Sequence, residues 1–156
     1  MCGIIDASVV GSIFSKSGKI SECAEKFLVH VQRGKLTLFI GGKLQYETDT
    51  NERARNWFRE ARRRGLVRQK DSRAIASTAA NLAASNQCKS NDHHVLALAR
   101  VSGARLLYTN DQKLIKDFTN REIIDMPRGR VYTDRQSGKF TKGHEKLLRE
   151  NVCSTQ

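Results

Sequence analysis

Short apolar runs alternate with longer amphipathic stretches along most of this chain, and that alternation permits few folds. The runs are Cys2-Gly3-Ile4-Ile5, Leu36-Thr37-Leu38-Phe39-Ile40 and Leu106-Leu107-Tyr108-Thr109. They have the length of strands and almost no polar residues, as strands buried on both faces do. Strands that alternate with helices imply an α/β domain built on a mainly parallel sheet flanked by helices. At 156 residues the chain is long enough for one real core and too short for two ordinary ones.

The helical pattern is readable in most of the intervening sequence. Val10, Ile13 and Phe14 have helical spacing within 7–15. Ser21 starts a second helix with Cys23, Phe27, Leu28 and Val31 along one side, and Gly34 ends it. Asn51 has the chemistry of an N-cap for a helix over 52–64, whose apolar side is Ala54, Trp57, Phe58 and Ala61. Ser72 is expected to cap a helix over 73–84, and Asn91 one over 92–101. A short helix over 111–118 turns Leu114, Ile115 and Phe118 inward. Residues 122–126 read as a fourth strand, and 130–133 as a fifth, exposed one. The boundary drawn from composition gives a domain over 1–133 and a basic, partly ordered tail over 134–156, with a short helix over 145–149.

Charge narrows the partners. Lys and Arg number 28 against 16 Asp and Glu, a formal net charge of +12. An excess of that size favours polyanions, because phosphate backbones release counterions when basic side chains replace them. No apolar run approaches the roughly 18 residues of a membrane span. The N-terminus meets Asp6 at once and lacks the basic start of a secretory signal. A cytoplasmic protein is expected, with Cys2, Cys23, Cys88 and Cys153 as reduced thiols, since none are spaced as a metal pair.

Against this basic background, four acids stand at element boundaries: Asp6, Glu47, Asp92 and Asp111. Asp6 and Asp111 follow strand runs, Glu47 comes shortly after another, and Asp92 opens an amphipathic stretch. In an open parallel sheet the carboxyl ends of the strands share one edge, and ligands bind there. Acids far apart in sequence can therefore meet. Converged carboxylates repel one another unless a hard cation neutralises them, and oxygen ligands suit Mg²⁺ or Mn²⁺. Each acid taken alone has an ordinary alternative as a turn or cap residue.

Three segments carry a resemblance to the PIN-domain family of metal-dependent ribonucleases, which includes the toxins of many bacterial toxin–antitoxin pairs. They are Ile4-Ile5-Asp6-Ala7-Ser8, the stretch from Asn91-Asp92 to Leu98-Ala99, and Leu107-Tyr108-Thr109-Asn110-Asp111 with Leu114. The resemblance implies a three-layer α/β fold. It also implies that Asp6, Asp92 and Asp111, completed by Glu47, hold one or two Mg²⁺ or Mn²⁺ ions and hydrolyse RNA phosphodiesters through a metal-bound water. Asp49 and Glu52 are rivals of Glu47. Ser8, Thr109 and Asn110 would act as supports behind the ligands, and Asp117 is a further outlying acid. A toxin-like member would meet a cognate inhibitor protein and form a homodimer.

The densest basic run lies in and after the Trp57 helix. Arg55, Arg59, Arg62 and Arg63 share its polar side, with Arg64 and Arg68 beyond. Arginine clamps phosphate with paired bonds that lysine cannot make. The ordinary alternative is a solvated face. Asp92-His93-His94 spells the triplet of the DHH phosphoesterases, but the further His and Asp motifs of those longer enzymes are missing. Two other readings of the whole remain: an RNA-binding module whose acids are not catalytic, and a DNA-cutting relative.

Overall fold

The computed structural model describes residues 1–135, 140–150 and 153. Gly138 and Lys139, read above as part of the basic tail, lie outside the described residues. The elements run in the order β1 (Cys2–Ile5), α1 (Ala7–Ile13), α2 (Glu22–Gln32), β2 (Thr37–Ile40), α3 (Gly42–Asp49), α4 (Glu52–Arg63), β3 (Val67–Gln69), α5 (Ser72–Ala84), α6 (His93–Ser102), β4 (Leu106–Tyr108), α7 (Gln112–Phe118), β5 (Arg130–Tyr132) and α8 (Lys142–Glu150). The sheet has five strands in the order β3-β2-β1-β4-β5. Every pair is parallel. Because all five point one way, every carboxyl end lies on one edge.

The pleat sorts the core into two layers. Ile5, Leu38, Ile40, Leu106, Tyr108 and Tyr132 face one side, where they meet α1, α2, α4 and α8. Cys2, Ile4, Phe39, Leu107 and Val131 alternate with them and face α3, α5, α6 and α7. This is the three-layer α/β architecture expected from the alternation of runs. Alternate residues point to opposite faces, so a strand apolar throughout needs helices on both sides.

Helix starts follow local chemistry. Ser21 Oγ accepts from Ala24 N at 3.1 Å, and Asn51 Oδ1 from Ala54 N at 3.0 Å. Two caps differ from expectation by one residue: Asp71 takes the place assigned to Ser72, and Asp92 that assigned to Asn91. Gly103 ends α6 at φ 76°, a left-handed conformation in which a side chain would be strained.

Residues 122–126, expected as a strand, form turns instead. Ile123 N and Ile124 N both bond Asn120 O, so they are not available to a ladder. Arg100 Nε donates to Ile123 O at 2.9 Å, and Arg105 Nε to Asp125 O at 3.2 Å. Ile123 and Ile124 are nonetheless buried, which explains their apolar signal. The strand at 130–132 is an edge strand, yet Val131 and Tyr132 are buried rather than exposed. Two elements had no clear signal. β3 has a single buried residue in three, and α3 buries only Leu44 and Thr48.

Just before β5 the chain closes tightly on its neighbours. Gly129 lies so near Phe118 that a Cβ would stand 2.2 Å from the Phe118 carbonyl oxygen. Backbone cannot yield as a side chain does. Gly129→Ala is expected to destabilise the fold by about 3 kcal/mol, read as a lower urea midpoint with an unchanged slope.

α8 packs Leu147 into the core and buries His144. His144 Nδ1 accepts from Thr141 N at 3.0 Å, which leaves Nε2–H to donate to Val131 O at 2.8 Å. Both bonds suit the neutral ring. Burial pushes the pKa of His144 below its usual value, and nearby Arg130 adds to this, although the bond to Val131 opposes it. His30, whose ring packs on Phe140 at 4.3 Å, is lowered by burial and by Lys35 and Arg33. A lowered folded pKa means that the unfolded chain binds more protons. Stability should therefore be full above about pH 6.5, the ordinary histidine value, and fall as pH drops below it. His144→Gln should flatten that fall in urea titrations at stepped pH.

The expectation of four reduced thiols needs correction, since Cys2 and Cys153 form a disulfide. The close approach of the last described residue to β1 brings them together, and a separation of 151 residues hides this from sequence. No helix among the described residues is long and apolar enough to cross a membrane.

Candidate active site at the carboxyl edge of the sheet

Asp6 leaves β1 where Ile5 pairs with Tyr108, and its own N–H bonds Tyr108 O at 2.9 Å. Asp6 is 4 % exposed. Ser8 Oγ donates to Asp6 Oδ2 at 2.6 Å, and Thr109 Oγ1 to the same oxygen at 2.8 Å. Asp6 stands at the N-cap of α1 but makes no capping bond with its side chain. The Thr109 hydroxyl also accepts from Asp111 N at 3.1 Å. One buried hydroxyl thus ties the first acid to the backbone of the last. Ser8 and Thr109 both contact Asp6.

Asp111 has a structural use. Its Oδ1 accepts from Lys113 N at 2.8 Å and Leu114 N at 3.1 Å, capping α7. Asp92 is different. It occupies the N-cap of α6 with φ −87° and ψ 47°, and its side chain caps nothing. Its Oδ2 accepts from Ser90 Oγ at 3.2 Å.

Asp117 fixes the position of Asp92. It is 2 % exposed, and its carboxylate accepts from Lys89 N at 2.9 and 3.0 Å and from Ser90 N at 2.7 Å. Amide donors gathered on a buried carboxylate hold the charge without a cation. Asp117 thereby joins α7 to the loop that carries Asp92.

Glu47 lies within α3, the helix that follows β2. Its Oε2 is 3.0 Å from His94 Nε2, and its Oε1 is 3.7 Å from Lys43 Nζ. His94 is buried on the first turn of α6, so this contact joins α3 to the helix that Asp92 opens. Sequence periodicity puts His93 and His94 on different sides of the helix, and they do separate: His94 is buried, His93 half-buried. The rivals stand apart from His94 in the elements. Asp49 ends α3, and Glu52 begins α4.

Asn110 is held by Asp134. Its Nδ2 donates to Asp134 Oδ2 at 2.7 Å, and its Oδ1 accepts from Asp134 N at 3.1 Å. Asp134 also takes bonds from the Tyr108 hydroxyl and from Ser21 Oγ. Burial, with Asp134 beside it, pushes the Tyr108 phenol far above its usual pKa. Asp134 was missed in the sequence although it follows Val131-Tyr132-Thr133 much as Asp6 follows its own strand.

These contacts make two linked pairs. Asp6 and Asp111 are joined through Thr109, while Glu47 and the Asp92 helix are joined through His94. Among the described residues, no three His, Cys, Asp or Glu side chains stand close enough to hold a metal ion as they are. The donor chemistry does suit a hard cation: Asp6 and Asp92 present carboxylate oxygens that neither helix uses for capping. A cavity of about 660 Å³ between Gly11–Lys16 and Thr50–Arg53 contains none of the four acids.

The basic face divides on inspection. Arg55, Arg59, Arg64 and Arg68 are exposed. Arg63 is 3.7 Å from Glu60, a surface pair of little strength. Arg62 is half-buried and donates through Nη1 to Gln69 Oε1 at 2.8 Å. No protein-family model matches this sequence, and no curated protein is significantly similar to it.

Proposed function

We propose that this chain is a PIN-like, metal-dependent endoribonuclease. The observation that carries this reading is that Asp6 and Asp92 each precede a helix without capping it. An aspartate at such a boundary ordinarily bonds the first amides of the helix, as Asp111 does. Here the two carboxylates are left as acceptors, Asp6 at the carboxyl end of β1 and Asp92 at the start of α6, inside a chain of charge +12. Mg²⁺ or Mn²⁺ held by Asp6, Asp92 and Asp111, with Glu47, would neutralise phosphate charge and acidify a water for attack. The chain's own part is to hold these oxygens. Ser8 and Thr109 fix Asp6, Asp117 fixes the loop before Asp92, and His94 fixes Glu47. The arginines of α4 supply attraction for the phosphate backbone.

A second reading has its own support. Asp111 already caps α7 and Glu47 already has His94, so an RNA-binding module with non-catalytic acids accounts for both. A single assay separates the two. Purified chain is incubated with labelled RNA and Mn²⁺, with Mg²⁺ and with EDTA. Cleavage that EDTA stops supports the nuclease. Salt-sensitive binding with no cleavage in either metal supports the module. The same assay on DNA tests the DNA-cutting variant, because nothing described reads the 2′-hydroxyl. An inhibitor protein, a homodimer and a cytoplasmic site of action belong to the nuclease proposal. A cytoplasmic location would keep Cys2 and Cys153 reduced, against the disulfide of the structure.

A further inference from the structure

α3 bears an aromatic side chain with no structural use at the place where the basic face meets the acids. Tyr46 is 78 % exposed and immediately precedes Glu47. An exposed ring on a well-formed helix contributes little to the fold, and every nucleobase has a face that stacks on such a ring. On its flank a relay of two amides runs toward the arginine helix. Gln69 Nε2 donates to Gln45 Oε1 at 2.9 Å, and Arg62 Nη1 donates to Gln69 Oε1 at 2.8 Å. Gln69 is the last residue of β3, so the relay holds Arg62 against the carboxyl end of that strand. A single Nη1 bond leaves the other guanidinium donors able to meet a phosphate. The sheet order β3-β2-β1-β4 then places the features in a line: Arg62 and Gln69 at β3, Tyr46 and Glu47 on the helix that follows β2, Asp6 at β1 and Asp111 after β4.

We infer that α3 guides unpaired RNA into the acidic edge, with Tyr46 stacking one base and the relay-held Arg62 taking a backbone phosphate. This rests on the RNA-directed reading above and names its substrate as single-stranded. A base paired in a duplex has both faces covered by its neighbours and its edge in a pair, so it cannot lie on Tyr46. An acidic peptide would match the charge but gives no reason for an exposed ring beside it.

The test is binding in EDTA, which separates it from catalysis. Fluorescence anisotropy is recorded with a labelled single-stranded RNA of mixed sequence and with the same sequence as a duplex. Single-stranded RNA should bind the tighter. Tyr46→Ala should weaken it about tenfold and Tyr46→Phe hardly at all, as stacking requires. Arg62→Ala should reduce the salt slope by about one, and Gln69→Ala should weaken binding in the same direction while Arg149→Ala leaves it unchanged. Duplex preferred over single strand, or Tyr46→Ala binding as wild type, would overturn the inference, the latter leaving Tyr46 as a contact for a protein. Tyrosine-dependent binding without cleavage in Mn²⁺ would sink the nuclease reading and leave the guide standing.

Discussion

Asp6→Asn is expected to lower metal-dependent RNA cleavage by on the order of a thousandfold, with the fold retained. The size follows from losing several kcal/mol of charge stabilisation when one anionic ligand becomes neutral, at about 1.4 kcal/mol for each factor of ten. Retention of the fold follows from the hydrogen bonds. Ser8 Oγ and Thr109 Oγ1 both donate to one oxygen of Asp6, and an amide oxygen can accept both. The check is a pairing of rates with urea melts. Cleavage within tenfold of wild type, with a wild-type melt, would remove Asp6 from the chemistry. Asp92→Asn should behave alike, since among the described residues its carboxylate has Ser90 Oγ as its one partner.

Asp117→Ala should cost about 3 kcal/mol of stability, because it leaves buried amides without acceptors. Lys89 N and Ser90 N both bond this one carboxylate, deep beneath the loop that leads to Asp92. Activity should fall with it, as Ser90 is also the partner of Asp92. Asp117→Asn separates the two effects. The amide can accept one or two of these bonds but brings N–H groups of its own, so an intermediate loss is expected. A melt for Asp117→Ala within about 0.5 kcal/mol of wild type, the range of an ordinary surface change, would contradict this role.

The fold and the acids were legible in the sequence to different degrees. Strands such as Leu36–Ile40 were plain because parallel strands between two helix layers admit little polar sequence. The turn at 122–126 was misread because Ile123 and Ile124 are buried without joining a ladder, and burial alone does not distinguish the two. β3 and α3 escaped notice because three and eight residues with one or two inward positions give no period to count. The order of acids was readable, but their uses were not: Asp111 caps, Asp92 does not, and both stand at helix starts.

Sequence by itself determined the layered α/β class, the excess positive charge and the presence of acids at element boundaries, since these depend on local pattern and composition. Only tertiary structure decided which oxygens stay available. Thr109 reaches Asp6 across 103 residues, His94 reaches Glu47 across 47, and Asp134 claims Asn110 across 24. A hydrogen bond acts over about 3 Å, so its partner is set by where the chain returns in space and not by what stands beside it in sequence.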